Sequence, residues 1–259
     1  MSFTTISYER EVPVGIVTLN RPEVMNAIDE TMANELYELL SEIENDPDVR
    51  AVILTGAGKA FMAGGDIALM QKLTTPEAKA WALLVHKVFD KLYHLPQPTI
   101  AAVNGPAIGG GFEMVMACDL RIAGEKAKFG QPEINLGIIP GAGSSQRLPR
   151  IIGGPRAKAL ILLGEILNAE QAMQLGVINR VIPPDSLLAE AKLLANKIAE
   201  YPRLAAQCAK KAVNLAERTD LDLGQMCEID LYSYLYSTAD QKEGMQAFLE
   251  KRKPNFTHR

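Results

Sequence analysis

Thr99-Ile-Ala-Ala-Val-Asn-Gly-Pro-Ala-Ile-Gly-Gly-Gly-Phe-Glu113 reads as a strand, a glycine-rich turn and the start of a helix. Thr99 to Val103 is apolar or β-branched without alternation, as in a strand covered on both faces. Gly105 and Gly109 to Gly111 end it, and Phe112, Met114, Val115 and Met116 make an apolar helix around Glu113. The same arrangement occurs upstream. There the buried strand Ala51 to Thr55 runs into Gly56-Ala-Gly-Lys-Ala-Phe-Met-Ala-Gly-Gly-Asp66. Glycines let a backbone approach a ligand closely, so both turns can point free amides at one anion.

Outward from these turns, Ile6 to Arg10 and Gly15 to Leu19 read as strands around a Pro13/Gly15 turn. Apolar residues at helical spacing predict a helix over Asp29 to Asn45 and another from a Thr75 cap through Leu92, closed off by Pro96 and Pro98. Leu120 to Ala123 is a further strand. After Pro155 helices take over: Pro155 to Leu163, Ala169 to Leu175, Ser186 to Glu200, Pro202 to Glu217, Leu221 to Tyr236 and Ala239 to Arg252. Only Asn179 to Ile182 looks extended there, and Thr238-x-x-Gln241 spells a capping box. The pattern is α/β with a helical C-terminal region.

With 259 residues the chain is one large or two small domains at about 150 residues each. A hydrophobic fraction of 47% and a charged fraction of 22% disfavour disorder and fibrous classes. No apolar run reaches the ~18 residues a spanning helix needs. The N-terminus lacks a basic region followed by an apolar one, so a cytoplasmic location is the expectation. A net charge of −4 lacks the basic footprint of a duplex binder, and Lys210-Lys211 reads as a solvated face. Cys118, Cys208 and Cys227 are scattered and read as small buried hydrophobes, with no metal spacing.

The usual motifs fail: Gly56-x-Gly58 is not completed as a dinucleotide fingerprint, and Gly58-Lys59 is followed by Ala60. His86, His94 and His258 form no triad spacing, and His86 and His94 read as surface or packing residues. Carboxylates remain. Glu113 on its apolar helix reads equally as a general acid or base and as a first-turn glutamate favoured by the helix dipole. Glu133, in Gln131-Pro-Glu-Ile-Asn-Leu-Gly137, reads by itself as a turn residue.

Taken in order, Asn20-Arg-Pro22, Asn26-Ala27, Leu54-Thr-Gly-Ala-Gly-Lys-Ala-Phe61, Ala63-Gly, Asp66-Ile67, Ile100-Ala-Ala-Val-Asn-Gly105, Gly109-Gly-Gly-Phe-Glu113, Cys118-Asp119 and Phe129-Gly-Gln-Pro-Glu133 resemble the crotonase superfamily. Gly137-Ile, Pro140-Gly-Ala-Gly143, Gln146-Arg-Leu148 and the ending Phe248 to Lys253 extend the likeness, which is to enoyl-CoA hydratases, over nearly the whole chain. The resemblance implies a spiral of repeated ββα units over residues 1–195 and a helical region over 196–259 that mediates trimer contacts, commonly in a dimer of trimers.

It further implies reversible hydration of a short- or medium-chain enoyl-CoA, without metal or redox cofactor. The amides of Ala63 and Gly110 would form an oxyanion hole, Glu113 would activate water, and Glu133 would serve C2. CoA would bind near Met25 to Ala27, Ala63, Ile67 and Gly109, and Asp66 would brace the oxyanion loop, cap a helix, or both. Lys251 would meet a CoA phosphate from a neighbouring subunit or simply complement a helix end. Isomerases of the superfamily usually keep the carboxylate at the Glu133 position and lose the other, so the pair favours a hydratase. An RNA-binding relative would call for a contiguous basic helix face, whereas Glu30, Glu35, Glu38, Glu42 and Glu44 make the first helix acidic. A catalytically dead relative is disfavoured by the intact glutamates. The chain departs from the family at Ala68, where a lysine is usual, and at Ser144-Ser145, where Gly-Thr is usual. Both serines read as caps, or, for Ser144, as a residue that narrows the acyl pocket.

Overall fold

The computed structural model describes residues 3–258; Met1 and Ser2, where the N-terminal reading for a leader begins, lie outside it. Strands β1 (Ile6–Glu11) and β2 (Val14–Leu19) form an antiparallel hairpin, followed by α1 (Glu30–Glu44) and β3 (Ala51–Gly56). Next come α2 (Ile67–Met70), α3 (Thr75–His94), β4 (Thr99–Val103), β5 (Ala107–Ile108), α4 (Gly110–Met116), β6 (Leu120–Gly124) and β7 (Lys128–Gly130). A 3-10 turn at Pro132–Leu136 leads to α5 (Ser144–Ile152), α6 (Gly154–Leu163), β8 (Ile166–Asn168), α7 (Ala169–Gln174) and β9 (Arg180–Ile182). Helices α8 (Leu187–Ala199), α9 (Arg203–Ala216), α10 (Leu221–Leu235) and α11 (Ala239–Leu249) complete it.

The strands divide between a six-stranded sheet, β1-β2-β3-β4-β6-β9, and a three-stranded one, β5-β7-β8. From β2 onward the large sheet is parallel. Each successive turn of chain places one strand in the large sheet, the next in the small sheet, and then a helical segment: β4, β5, α4, and again β6, β7 and the 3-10 turn with α5. Met62 bridges to Ala107, so the turn after β3 follows the same path. This is a ββα spiral.

Both faces of the large sheet are covered, which explains the unbroken apolar run in β4. Val52, Leu54, Ala101 and Val103 pack with Leu36, Leu39 and Leu40 of α1 and Val88, Phe89 and Leu92 of α3. Ile16, Ile53, Ile100, Ala102 and Ile122 face Leu187, Ala191 and Ala195 of α8.

Several local expectations change. The strand β8 interrupts the region read as helical after Pro155, and β5, β7 and β8, at two or three residues each, are too short for periodicity to reveal. Helix α5 begins on two serines and contains Pro149, so nothing announced it. The cap of α3 is Thr74 rather than Thr75, and its N–H and hydroxyl both donate to Glu77 Oε2, at 2.7 and 2.6 Å. At Thr238 only half of the box forms: Gln241 N–H donates to Thr238 Oγ1, while the Gln241 amide turns to Met245 Sδ. Of the cysteines only Cys118 is buried.

Lys210 departs most. Its ammonium is nearly enclosed, pairs with Asp119 at 2.7 Å and donates to Gln97 O at 3.2 Å. Asp119 also accepts from Thr99 N and Oγ1 at 2.7 and 2.9 Å, so α9 is clamped to the start of β4. Lys210→Met preserves the aliphatic stem but removes the charge. The expected loss is about 1–3 kcal/mol, read as a melting temperature lowered by roughly 2–4 °C per kcal/mol. An unchanged melting curve would mean that the pair contributes nothing.

Candidate active site

The loop after β3 is tied down by buried polar groups. Asn26 has no exposure; its Nδ2 donates to Ala57 O, Ala60 O and Phe61 O at 2.9–3.2 Å, and its Oδ1 accepts from Arg21 N at 2.9 Å. Arg21 donates to Ala27 O at 2.6 Å and pairs with Asp29 at 3.2 Å and Asp66 at 3.4 Å. Asp66 both braces this loop and caps α2, accepting from Ala68 N and Leu69 N at 3.0 and 3.3 Å. Met25, Ala27, Ala63, Asp66 and Ile67 therefore share one cluster, on which Met25 and Ile67 are about half exposed.

Two glycine turns meet backbone to backbone. A Cβ built on Gly110 would lie 3.6 Å from Gly64 Cα and 3.7 Å from Gly65 N. One built on Gly111 would fall 2.0 Å from Met62 O, so no side chain fits there. Gly109 has φ +54° and ψ −122°, a conformation that essentially only glycine adopts.

The Ala63 amide is not free, because it donates to Met25 O at 3.0 Å; this corrects its expected role as an anion donor. The neighbouring Gly65 amide and the Gly110 amide have no partner among the described residues, and they lie on the facing turns. Sequence reading passed over Gly65 because motif matching names the loop without saying which of its amides the fold consumes.

Both glutamates converge on these turns. Glu113, in the first turn of α4, is 2% exposed, and its Oε1 accepts from Ala142 N and Ser144 N, each at 2.9 Å. Burial pushes its carboxyl above the usual range, opposed by those two amides. Glu133 follows β7, and its Oε1 lies 2.8 Å from where a Gly109 Cβ would stand. Burial, with a smaller contribution from the Glu113 charge, pushes it up to about 7. With its nitrogen turned to Glu133, the fully buried Gln131 amide donates to both carboxyl oxygens at 2.8 and 3.1 Å and accepts from Ser144 Oγ. Ser144 is itself fully buried and caps nothing; Gly143 is the N-cap of α5.

Gln131 and Arg21 were legible only as motif members, with no role attached. Lys251 follows α11, exposed and at φ +56°, apart from the hydrogen bonds and ion pairs that build this site. His86 and His94 line a polar cavity of about 420 Å³ with Arg147, Arg150 and Arg218, and neither hydrogen-bonds to Glu113 or Glu133.

The raised Glu133 carboxyl has a consequence for stability. Folded, it retains its proton to about pH 7; unfolded, it releases it near 4.5. The native state binds more protons over that interval, so this group makes stability fall as pH rises from about 4.5 to 7. Glu133→Gln is expected to flatten that decline in thermal melts at stepped pH. A decline equally steep in the variant would show that Glu133 titrates normally.

Among the described residues no helix is long and apolar enough to cross a membrane. The family model described as enoyl-CoA hydratase/isomerase matches residues 9–259. A probable enoyl-CoA hydratase of Mycobacterium bovis is 47% identical over 259 residues, covering all of both chains. The short-chain-enoyl-CoA hydratase of Clostridium acetobutylicum is 44% identical over 254 residues, 98% of this chain and 97% of that one. A crystal structure titled as an enoyl-CoA hydratase subunit of Geobacillus kaustophilus superposes with TM-score 0.96 at 42% identity, covering each chain completely. The ββα spiral expected from the resemblance is thus the crotonase fold, and the chain belongs to the enoyl-CoA hydratase/isomerase family.

Proposed function

We propose that this chain catalyses the reversible syn addition of water across C2=C3 of a short- or medium-chain trans-2-enoyl-CoA, giving a 3-hydroxyacyl-CoA. The observation that carries this reading is the placement of a buried and a half-buried carboxyl, both with raised proton affinity, around the unpartnered Gly65 and Gly110 amides. Negative charge moves onto the thioester oxygen as C3 is attacked. The Gly65 and Gly110 amides are positioned to receive it, with Gly65 taking the role first expected of Ala63. Glu113, ionised, takes a proton from water; Glu133, protonated, delivers one to C2. The addition of water involves no net oxidation or reduction, so its chemistry needs no redox cofactor.

The CoA portion is assigned to the cluster of Met25, Ala27, Ala63, Asp66, Ile67 and Gly109, whose half-exposed Met25 and Ile67 offer apolar contact. Relatives named as short-chain and crotonyl-CoA hydratases support a short acyl group. Helices over 196–259 are assigned to self-association as a trimer or dimer of trimers. Neither α9 nor α10 has a buried residue, and Leu221, Met226, Ile229 and Phe248 are each more than 60% exposed. Lys251 of a neighbouring copy is the cation assigned to a CoA phosphate, and the cytoplasm is the assigned location.

Loss of the enoyl-thioester absorbance of crotonyl-CoA tests the reaction directly. Glu113→Gln retains an oxygen to accept from Ala142 and Ser144, yet should lower kcat by about 10²–10⁴-fold, as should Glu133→Gln. A wild type that binds the thioester but never hydrates it would refute the reading. The kcat/KM profile for hydration should be bell-shaped. It rises as Glu113 loses its proton and falls, from about pH 7, as Glu133 loses its own. A profile flat from pH 5 to 9 would contradict the assigned roles.

A further inference from the structure

We propose that Ser144 is a positioning residue: its hydroxyl, donor or acceptor in turn, partners the Gln131 amide that faces Glu133, and so presents that carboxyl to the reacting C2. The proposal rests on the functional reading above and deepens it at a position where the family usually has glycine.

Four groups form one chain of hydrogen bonds. Ser144 N–H donates to Glu113, Ser144 Oγ meets the Gln131 amide, and Gln131 reaches both oxygens of Glu133. Gln131 and Ser144 have no exposure, so no solvent substitutes for a lost partner. An ionised carboxylate only accepts, so it requires the amide nitrogen. The amide oxygen must then find a donor inside the protein, and the Ser144 hydroxyl is within reach.

Rotated by half a turn, the amide presents its oxygen to Glu133, a fit only for the protonated acid. Its nitrogen then reaches Ser144 Oγ and, at 3.4 Å, Gly109 O. A hydroxyl donates in the first arrangement and accepts in the second. Ser144 therefore satisfies Gln131 in both protonation states that Glu133 passes through during a turnover. Glycine at 144 would leave the amide oxygen without a donor while Glu133 is charged, and the charged form would be less well stabilised.

Ser144→Ala, which keeps the backbone N–H to Glu113 and the helical geometry, tests this on crotonyl-CoA hydration and on dehydration of the 3-hydroxy product. The alkaline limb of hydration requires protonated Glu133, and the acidic limb of dehydration requires the ionised form. Both limbs should move to higher pH by about 0.5–1 unit, with KM within about two-fold of wild type. A packing role alone would lower rates without moving the limbs. Gln131→Met removes the same link from its other end and must shift both limbs in the same direction, which secures the test should Ser144→Ala fold poorly. If Glu133→Gln abolishes hydration while Ser144→Ala and Gln131→Met both leave the limbs in place, this proposal falls and the functional reading stands. If hydration survives Glu133→Gln, the assignment of Glu133 falls and this proposal with it.

Discussion

The structure depends on one close approach, that of the glycine turn after β3 to the glycine turn after β4. Gly111 lies against Met62 O at a distance that leaves no room for a side chain, and Gly110 lies in van der Waals contact with the Gly64-Gly65 backbone. The Gly65 and Gly110 amides stay unpartnered among the described residues on these facing turns, which follow buried parallel strands. Neighbouring polar groups make the geometry rigid. Asn26 and Asn104 donate to the loop's carbonyls and Met25 O takes the Ala63 N–H, while the Gly65 N–H has no partner among the described residues.

Around this frame the carboxyls are held at a cost that the protein offsets unequally. Glu113 is taken almost wholly out of water and compensated by two backbone amides from the α5 loop, which orient one oxygen and leave the other for chemistry. Glu133 is less enclosed and leans on a side-chain amide, a softer support whose orientation depends on what lies behind it. Two acids on the same fold are thereby given different environments, the usual condition for dividing acid and base work between them.

The long elements were legible. Helices such as α1 and α3 carry an apolar stripe at helical spacing, and β3 and β4 are unbroken apolar runs, so their patterns pointed to the right structure. The small sheet was not, because two- and three-residue strands carry no period. Helix α5 was hidden behind Ser144-Ser145 and Pro149, and Lys210 looked like any surface lysine until the fold brought Asp119 to it across about ninety positions of chain. At the site, the two glutamates and the two glycine turns could be named from motifs.

By itself the amino-acid sequence determined the α/β class, the glycine turns, the two glutamates and the family, because each is written in residue types at short spacing. Only tertiary structure decided which amides stay free, since Met25 O claims Ala63 from a separate loop, and which polar groups serve the acids, since Gln131 meets Ser144 across thirteen positions of chain. The physical reason is common to both cases. A hydrogen-bond donor buried in a protein is defined by what competes for it, and the competitors come from elsewhere in the chain.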